Sequence, residues 1–150
     1  MADWDTRFMD MCKLVASWSK DPSTKVGSCI VDSRNRIVSV GMNGFPRRVA
    51  DTQARINDRV LKNRITVHAE TNACLFAERS IRGCTLYVWP MPPCSACAAL
   101  IIQAGISRVV APAPSPDLAD RWGESIELAV MAMREAGVKV DILDNAGGRL

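Results

Sequence analysis

The sequence contains a single histidine among 150 residues, little net charge and no long apolar run. A formal net charge of +3 gives no electrostatic basis for a nucleic-acid-binding protein. No stretch approaches the roughly 20 consecutive apolar residues that cross a bilayer, so a membrane protein is not expected. The first residues show no basic segment followed by an apolar run, so no signal peptide is visible and a cytoplasmic location is predicted.

The composition is that of an ordinary globular protein, with 48% apolar and 23% charged residues. A chain of this length can bury a real core, so we predict one domain over residues 1–150, with 145–150 as a flexible tail. The six cysteines are expected to stay reduced in a non-secreted chain. Those outside the motifs below are most simply small buried apolar groups: Cys12, Cys29, Cys74 and Cys84.

Apolar periodicity and breaker residues predict alternating helices and strands without a linker or repeat. Helices are predicted from Trp4 to about Trp18, from His68 to Ala77, over residues 94–104, and around Trp122 to Met133. Strands are predicted at residues 25–31, 36–40, 85–89, 107–111 and 138–143. The arginine-rich stretch up to about Thr66 is predicted to be a long loop with room for one helical turn.

The order of these elements predicts the fold class. The strand–helix–strand order of the second half favours parallel pairing, and the hairpin formed by the first two strands adds an antiparallel pair. We therefore predict an α/β protein with a mixed five-stranded sheet between layers of helices.

The histidine belongs to the most informative pattern in the chain. His68-Ala69-Glu70 is followed downstream by Pro93-Cys94-Ser95-Ala96-Cys97. One imidazole and two thiolates leave a fourth position open, which is typical of catalytic zinc rather than structural zinc. The pattern H-x-E…P-C-x-x-C is the signature of zinc-dependent nucleobase deaminases, in which the glutamate moves protons. Both ligand segments are predicted at helix N-termini, where the partial positive charge favours thiolates and Pro93 fits a helix start.

Other interpretations exist for each part of the pattern. A lone histidine at a helix start is commonly a capping or packing residue. Cys-x-x-Cys alone is typical of a redox pair or of half a structural zinc site, for which Cys74 or Cys84 could supply a fourth ligand. A redox pair would leave His68 and Glu70 without a role. The joint pattern therefore favours one catalytic zinc ion per chain.

From about Trp4 to Leu143 the chain resembles the deoxycytidylate (dCMP) deaminases of the cytidine deaminase-like superfamily. The resemblance rests on residues 19–27, 41–46, 68–73, 86–88, 93–97 and 101–106. The zinc motifs are shared across the superfamily, whereas residues 25–46 are similar to the nucleotide-monophosphate branch. The resemblance implies a three-layer α/β/α fold, hydrolysis of dCMP to dUMP and ammonia for thymidylate synthesis, and a homohexamer. It also implies dCTP and dTTP as effectors, with Mg²⁺ accompanying a bound effector.

Carried onto this sequence, the resemblance makes His68, Cys94 and Cys97 the zinc ligands and Glu70 the proton shuttle. Asn43 would bind the sugar or orient the loop above it, although a plain turn asparagine is an equal alternative. The other candidates for substrate binding are Lys25, Ala69, Trp89 as a stacking surface, and Pro93. The candidate phosphate or effector contacts are Lys25, Arg47, Arg48, Arg55, Arg59 and Arg64, although most of these arginines could simply form a solvated loop face.

Two departures from the family pattern bear on specificity. Met42 stands where the family commonly has tyrosine in a loop associated with effectors, and the connection over residues 87–94 is one residue longer than usual. Deaminases of dCTP, free cytidine, guanine or tRNA adenosine are therefore alternative functions, although the last would need a broad basic surface. A catalytically inactive nucleotide sensor would leave Glu70 without a use.

Overall fold

The computed structural model describes residues 3–144 and Leu150. The helices are α1 (Trp4–Ala16), α2 (Gln53–Asn57), α3 (Arg59–Ile65), α4 (Ala69–Phe76), α5 (Ser95–Ala104) and α6 (Pro116–Glu135). The strands are β1 (Gly27–Val31), β2 (Ile37–Met42), β3 (Thr85–Trp89), β4 (Arg108–Pro112) and β5 (Lys139–Leu143). Apart from Leu150, the tail predicted at 145–150 lies outside the described residues.

The strands form one mixed sheet in the order β2-β1-β3-β4-β5. β1 pairs antiparallel with both β2 and β3, whereas β3, β4 and β5 are parallel. In the central register, Leu86 lies opposite Ile30 on one side and Val109 on the other. The predicted mixed five-stranded sheet is confirmed.

Alternating side chains along the central strands fill two separate cores. Phe8, Met9 and Cys12 of α1 pack against Cys29 and Tyr87 on one face of the sheet. The opposite face carries Ile30, Leu86 and Val88, which pack among apolar residues of α4, α5 and α6. Because the side chains of a strand alternate between faces, each central strand serves both cores. The three-layer α/β/α arrangement predicted from the sequence is therefore confirmed.

Two glycines allow helices to approach the sheet closely. A Cβ atom on Gly27 would lie 2.1 Å from the Cys12 carbonyl oxygen of α1. A Cβ atom on Gly41 would lie 2.4 Å from both the Ala69 carbonyl oxygen and the Ala73 nitrogen of α4. The start of α4 therefore lies directly against β2, which fixes where its first turn can point.

The long loop predicted before His68 is the part of the secondary structure that the sequence interpretation got wrong. It contains both α2 and α3. Thr52 caps α2 by accepting a hydrogen bond from the Arg55 N–H, and Asp58 caps α3 by accepting one from the Leu61 N–H. Short polar side chains such as these are favoured N-caps, and the residues that follow each of them form turns of helix.

Two further sequence predictions can be compared with the structure. All six cysteines are free thiols in the structure. Among the described residues, no helix is both long and apolar enough to cross a membrane.

Candidate functional site

The two motifs of the sequence meet at the N-termini of adjacent helices. His68 is the N-cap residue of α4, and Cys94 is the N-cap residue of α5. Both have extended backbone conformations, which turn the chain from the preceding segment into the helix. Glu70 and Cys97 follow within the first turn of the same helices. The local geometry of two helix starts therefore places all four side chains.

The distances between the three potential ligand atoms suit a tetrahedral zinc ion. His68 Nδ1 lies 3.5 Å from Cys94 Sγ and 3.4 Å from Cys97 Sγ. Zn–S bonds of about 2.3 Å and a Zn–N bond of about 2.0 Å, meeting at a tetrahedral angle, require an N–S separation of roughly 3.5 Å. All three ligand atoms lie within 4.8 Å of one another. Nδ1 is therefore the histidine nitrogen that faces the metal position.

Among the described residues, the cluster has three protein ligands and no fourth. Within residues 3–144, it is the one group of three or more histidine, cysteine or acidic side chains whose ligand atoms converge in this way. Cys74 and Cys84, the alternative fourth ligands, belong to the hydrophobic core instead. A fourth coordination position is thus left for water or substrate, as in catalytic zinc sites.

Glu70 lies beside this cluster and is almost fully buried, with 5% of its surface exposed. Burial raises the pKa of its carboxyl group, while the positive charge on His68 acts in the opposite direction. The pKa of the Cys94 thiol is lowered by hydrogen bonds with Cys97 and His68. The site therefore combines a sulfur ligand that ionises readily with a desolvated carboxyl group, which is the kind of group that can accept and return a proton.

These residues open into a cavity of about 360 Å³. His68, Ala69, Glu70 and Cys94 line its base, and Met91 and Pro92 line one side. The remaining walls come from the segment before β1, from the loop after β2, from α3 and from α6. They comprise Asp21, Ser23, Thr24, Val26, Asn43, Arg59, Lys62, Asn63, Thr66, Arg121 and Trp122.

Asn43 is buried in the cavity wall, and both ends of its amide are occupied. Its Oδ1 accepts a hydrogen bond of 2.9 Å from the Val26 N–H. Its Nδ2 donates one of 2.9 Å to the Thr24 carbonyl oxygen. The side chain therefore holds the segment before β1 in position along the cavity, while its role toward a sugar stays a prediction.

The other residues proposed from the sequence separate into two groups. Ala69 and Arg59 line the cavity, and Pro93 is buried directly before Cys94. Lys25 and Trp89 line a neighbouring open groove of about 1010 Å³ instead. The remaining arginines do not line the cavity. Arg47 lies over the Phe76 ring, Arg55 donates to the Ala50 carbonyl oxygen, and Arg48 and Arg64 are exposed.

The sequence interpretation missed two cationic residues of the cavity. Lys62 is buried, and its Nζ donates to Asp21 Oδ1 at 2.9 Å and to Ser23 Oγ at 3.0 Å. Arg121 Nη2 donates to Thr24 Oγ1 at 2.9 Å and to Asp117 Oδ2 at 3.1 Å. A signal for Lys62 was available, because it lies three residues after Arg59 and thus shares its helix face. That face was not recognised because α3 was interpreted as loop.

Asp21 and Trp122 also line the cavity and were not predicted as site residues from the sequence. Burial raises the pKa of Asp21, but hydrogen bonds from Lys62 and from the Ser23 and Thr24 N–H groups outweigh it, and the pKa is lowered. Trp122 packs against the buried Met91, Leu118 and Ile126. It also presents its ring edge-on to His68, with centroids 6.1 Å apart and an interplanar angle of 86°. Nothing in the local sequence predicts this contact, since it joins α6 to the start of α4.

Comparisons with known proteins agree with this geometry. The family model for the cytidine and deoxycytidylate deaminase zinc-binding region matches residues 2–113. An "Uncharacterized deaminase in luxG 3'region" of Aliivibrio fischeri is 48% identical over 140 residues, which are 93% of each chain. The human deoxycytidylate deaminase is 40% identical over 114 residues, covering 72% of this chain and 64% of the human protein.

A solved structure resembles the whole fold. The dCMP deaminase of cyanophage S-TIM5 superposes with a TM-score of 0.70 at 24% identity, covering 93% of this chain and 96% of the phage chain. At that identity the likeness establishes the fold, while the family model and the sequence relatives establish the family. The chain belongs to the zinc-binding cytidine and deoxycytidylate deaminase family.

Proposed function

We propose that the protein hydrolyses dCMP to dUMP and ammonia and so supplies the precursor of thymidylate. One cavity carries this proposal, because two groups of residues meet in it. The first group is the cluster of His68, Cys94 and Cys97, which leaves one coordination position open, together with Glu70. The second group lies farther out and consists of the cations of α3 and α6. The first group suits deamination of a base. The second group suits a substrate that also carries a phosphate.

Each residue at the base of the cavity has a defined task in this reaction. Zinc held by His68, Cys94 and Cys97 supplies the Lewis acidity that makes hydroxide available from water near neutral pH. The Glu70 carboxylate accepts the proton of the attacking water. It then delivers a proton to the ring nitrogen and, after regaining one, to the departing amine. One carboxyl group suffices, because it carries both protons of the water in turn: one stays on the ring nitrogen of dUMP, the other leaves with ammonia, and the oxygen becomes the new carbonyl of dUMP.

Arg121 and Arg59 are the cations that we propose for the 5′-phosphate. The ammonium group of Lys62 is already occupied by Asp21 and Ser23. Arg121 uses Nη2 for its hydrogen bonds to Thr24 and Asp117, which leaves further N–H groups of the guanidinium fork for an anion. Arg59 is exposed at the same cavity. The predicted contacts at Arg47, Arg48, Arg55 and Arg64 would require a different binding mode.

A specific observation also favours dCTP as a second candidate substrate. The open groove beside the cavity shares Asp21, Ser23, Thr24 and Arg121 with it. A nucleotide whose first phosphate lies at Arg121 could therefore extend further phosphates into the groove, where Lys13 and Lys25 are also found. The acidic side chains of Asp117 and Asp144 in the same groove oppose this arrangement unless a cation accompanies the phosphates.

The test is ammonia release from dCMP, dCTP, deoxycytidine and guanine, measured in parallel with Glu70→Gln as the blank. Turnover of dCMP well above the other three, and absent from the variant, would support the proposal. Preference for dCTP would favour the second candidate. Turnover of the unphosphorylated compounds alone would contradict a role for the cations. Zinc binding without any turnover would bring forward tRNA adenosine as substrate or a nucleotide sensor.

Several predicted properties extend this proposal. They are a homohexamer, activation by dCTP, inhibition by dTTP with Mg²⁺ accompanying the effector, and a cytoplasmic location. Light scattering with and without the two nucleotides measures the assembly. Rates at subsaturating dCMP measure effector control, and a response to dCTP would indicate that a loop with methionine at position 42 still supports regulation.

A further inference from the structure

Helix α6 lies outside the part of the chain that matches the family model, yet one of its faces contacts the site. The match ends at residue 113, and α6 begins at Pro116. Trp122 and Ser125 are three residues apart and so share one face of the helix. Trp122 presents its ring to His68, and Ser125 reaches the start of α5. The same helix therefore contacts both segments that carry the zinc ligands.

The start of α5 lacks the cap that most other helices of this chain have. Asp3, Thr52, Asp58 and Ser115 each cap their own helix by accepting a hydrogen bond from the N–H three residues later. The N-cap residue of α5 is Cys94, whose side chain makes no such hydrogen bond. The first N–H groups of α5 therefore need acceptors from elsewhere.

Ser125 supplies one of these acceptors from α6. The Ser95 N–H donates to Ser125 Oγ at 2.9 Å, and the Ser125 hydroxyl lies within hydrogen-bond distance, 3.2 Å, of Ser95 Oγ. The Ser125 hydroxyl therefore both accepts a hydrogen bond from Ser95 and donates one to it. Ser95 is bonded to Cys94 and lies two residues before Cys97. Fixing its N–H therefore fixes the peptide unit that follows Cys94, at the start of the helical turn that carries Cys97.

We propose that Ser125 is a positioning residue for the metal site. It acts as an N-cap for α5 supplied by another helix, and it holds Cys94 and Cys97 at the separations from His68 that zinc requires. Ser125 does not line the cavity, so its effect reaches the reaction through the ligands and not through contact with substrate. The proposal concerns the metal site alone and holds whichever nucleotide or base is the substrate.

The test compares Ser125→Ala with Ser115→Ala in the full chain. Both variants remove a hydroxyl that accepts a helix N–H, and both residues belong to α6 or its cap. Only Ser125 contacts the start of α5. Alanine has the higher helix propensity, so Ser125→Ala should leave α6 folded. Ser125→Thr keeps the hydroxyl and serves as the conservative variant.

Two properties are measured: zinc affinity by chelator competition, and the absorption spectrum of the Co²⁺-substituted protein. A purely structural role of Ser125 would change neither of them. We expect Ser125→Ala to weaken zinc binding by about tenfold and to alter the Co²⁺ spectrum. Ser125→Thr should restore both properties, and Ser115→Ala should lower the melting temperature while zinc affinity stays as in the wild type. Wild-type zinc affinity and spectrum in Ser125→Ala would overturn the proposal. So would an equal loss of affinity in Ser115→Ala, because the effect would then be general weakening of α6.

Discussion

The base of the cavity and its outer wall are built in different ways. At the base, His68 and Glu70 lie in one helix start, and Cys94 and Cys97 lie in another. The wall joins residues that are distant along the chain, such as Thr24 and Arg121, which are 97 residues apart and hydrogen-bonded. The metal-binding part is thus assembled from two local motifs, whereas the substrate-facing part exists only when the chain is folded.

The contrast is sharpest for the part of the wall that α6 supplies, because α6 lies beyond the family match. The base falls within residues 2–113, which match the family model, while Arg121, Trp122 and Ser125 come from a helix beyond that match. A change at Arg121 can alter the wall without touching a zinc ligand, because Arg121 bonds Thr24 and Asp117. Substitutions at the base should therefore abolish turnover, and substitutions in the wall should change substrate affinity.

The largest expected effect is that of Glu70→Gln. Glutamine keeps the shape of the side chain but cannot accept the proton of the attacking water, so kcat should fall by about 10²- to 10⁴-fold. Glu70 is not part of the ligand cluster, so zinc content should stay at one ion per chain. Initial rates of ammonia release together with metal analysis measure both quantities. A variant that lost its zinc would show that Glu70 supports the metal rather than the proton transfers.

The base of the site could be predicted from the sequence because its information is local. The histidine, the glutamate and the two cysteines occur in short patterns whose spacing is set by a helix turn. The five strands were predicted for the same reason, since each has a continuous apolar or alternating pattern. Lys62 and Arg121 belong to no such motif and lie in polar stretches that resemble any solvated surface. The helix face that Lys62 shares with Arg59 becomes visible only once α3 is recognised as a helix.

The errors and omissions have specific physical causes. Residues 52–65 are polar and rich in arginine, so their two capped helices were interpreted as a loop. Lys25 and Trp89 flank the ends of β1 and β3, and the direction in which their side chains point depends on the strand register. In the structure both line the groove beside the cavity. Their roles in substrate binding remain predictions that the substrate comparison can test.

Gly41→Ala tests how precisely the base must be held against the sheet. The new Cβ atom would lie 2.4 Å from backbone atoms of α4, which cannot rotate away as a side chain could. We expect a loss of about 3 kcal/mol or more in the free energy of unfolding, together with weaker zinc binding as α4 moves. Chemical denaturation and chelator competition measure these changes.

The matched control for Gly41→Ala is Gly123→Ala in α6. A Cβ atom there meets no other atom within 4 Å, and alanine favours a helix over glycine. This control should gain about 0.5–1 kcal/mol in the free energy of unfolding and keep wild-type zinc affinity. Equal stability losses in the two variants would contradict the close packing of α4 on β2 as the cause.

Arg121→Gln tests the wall and should have a smaller effect of a different kind. Removing one charge-assisted contact to phosphate should raise the KM for dCMP by about tenfold, with little change in kcat or zinc content. Arg134→Gln is the control, because Arg134 lies on the same helix but bonds the Val140 carbonyl oxygen, away from the cavity. An unchanged KM in Arg121→Gln would place the phosphate at another cation, with Arg59 the next to substitute.

The smallest expected effect concerns the ion pair that supports the wall. The pKa of Asp21 is lowered in the folded protein, so its charge contributes stability above its unfolded pKa, near 3.9. That contribution is lost as the pH falls through the lowered folded value. Asp21→Asn should therefore be less stable than the wild type at neutral pH, and the difference in melting temperature should shrink as the pH falls below about 4.

Metal loss at acidic pH affects both proteins alike, so the difference between them isolates the carboxyl group. A melting-temperature difference that stayed constant down to pH values well below 4 would show that Asp21 acts through its hydrogen-bond geometry rather than its charge.

The wild type and Asp21→Asn also allow the wall to be tested separately from the base of the cavity. Because the Asp21–Lys62 pair contacts no zinc ligand among the described residues, its loss at neutral pH should raise the KM for dCMP while zinc affinity remains unchanged.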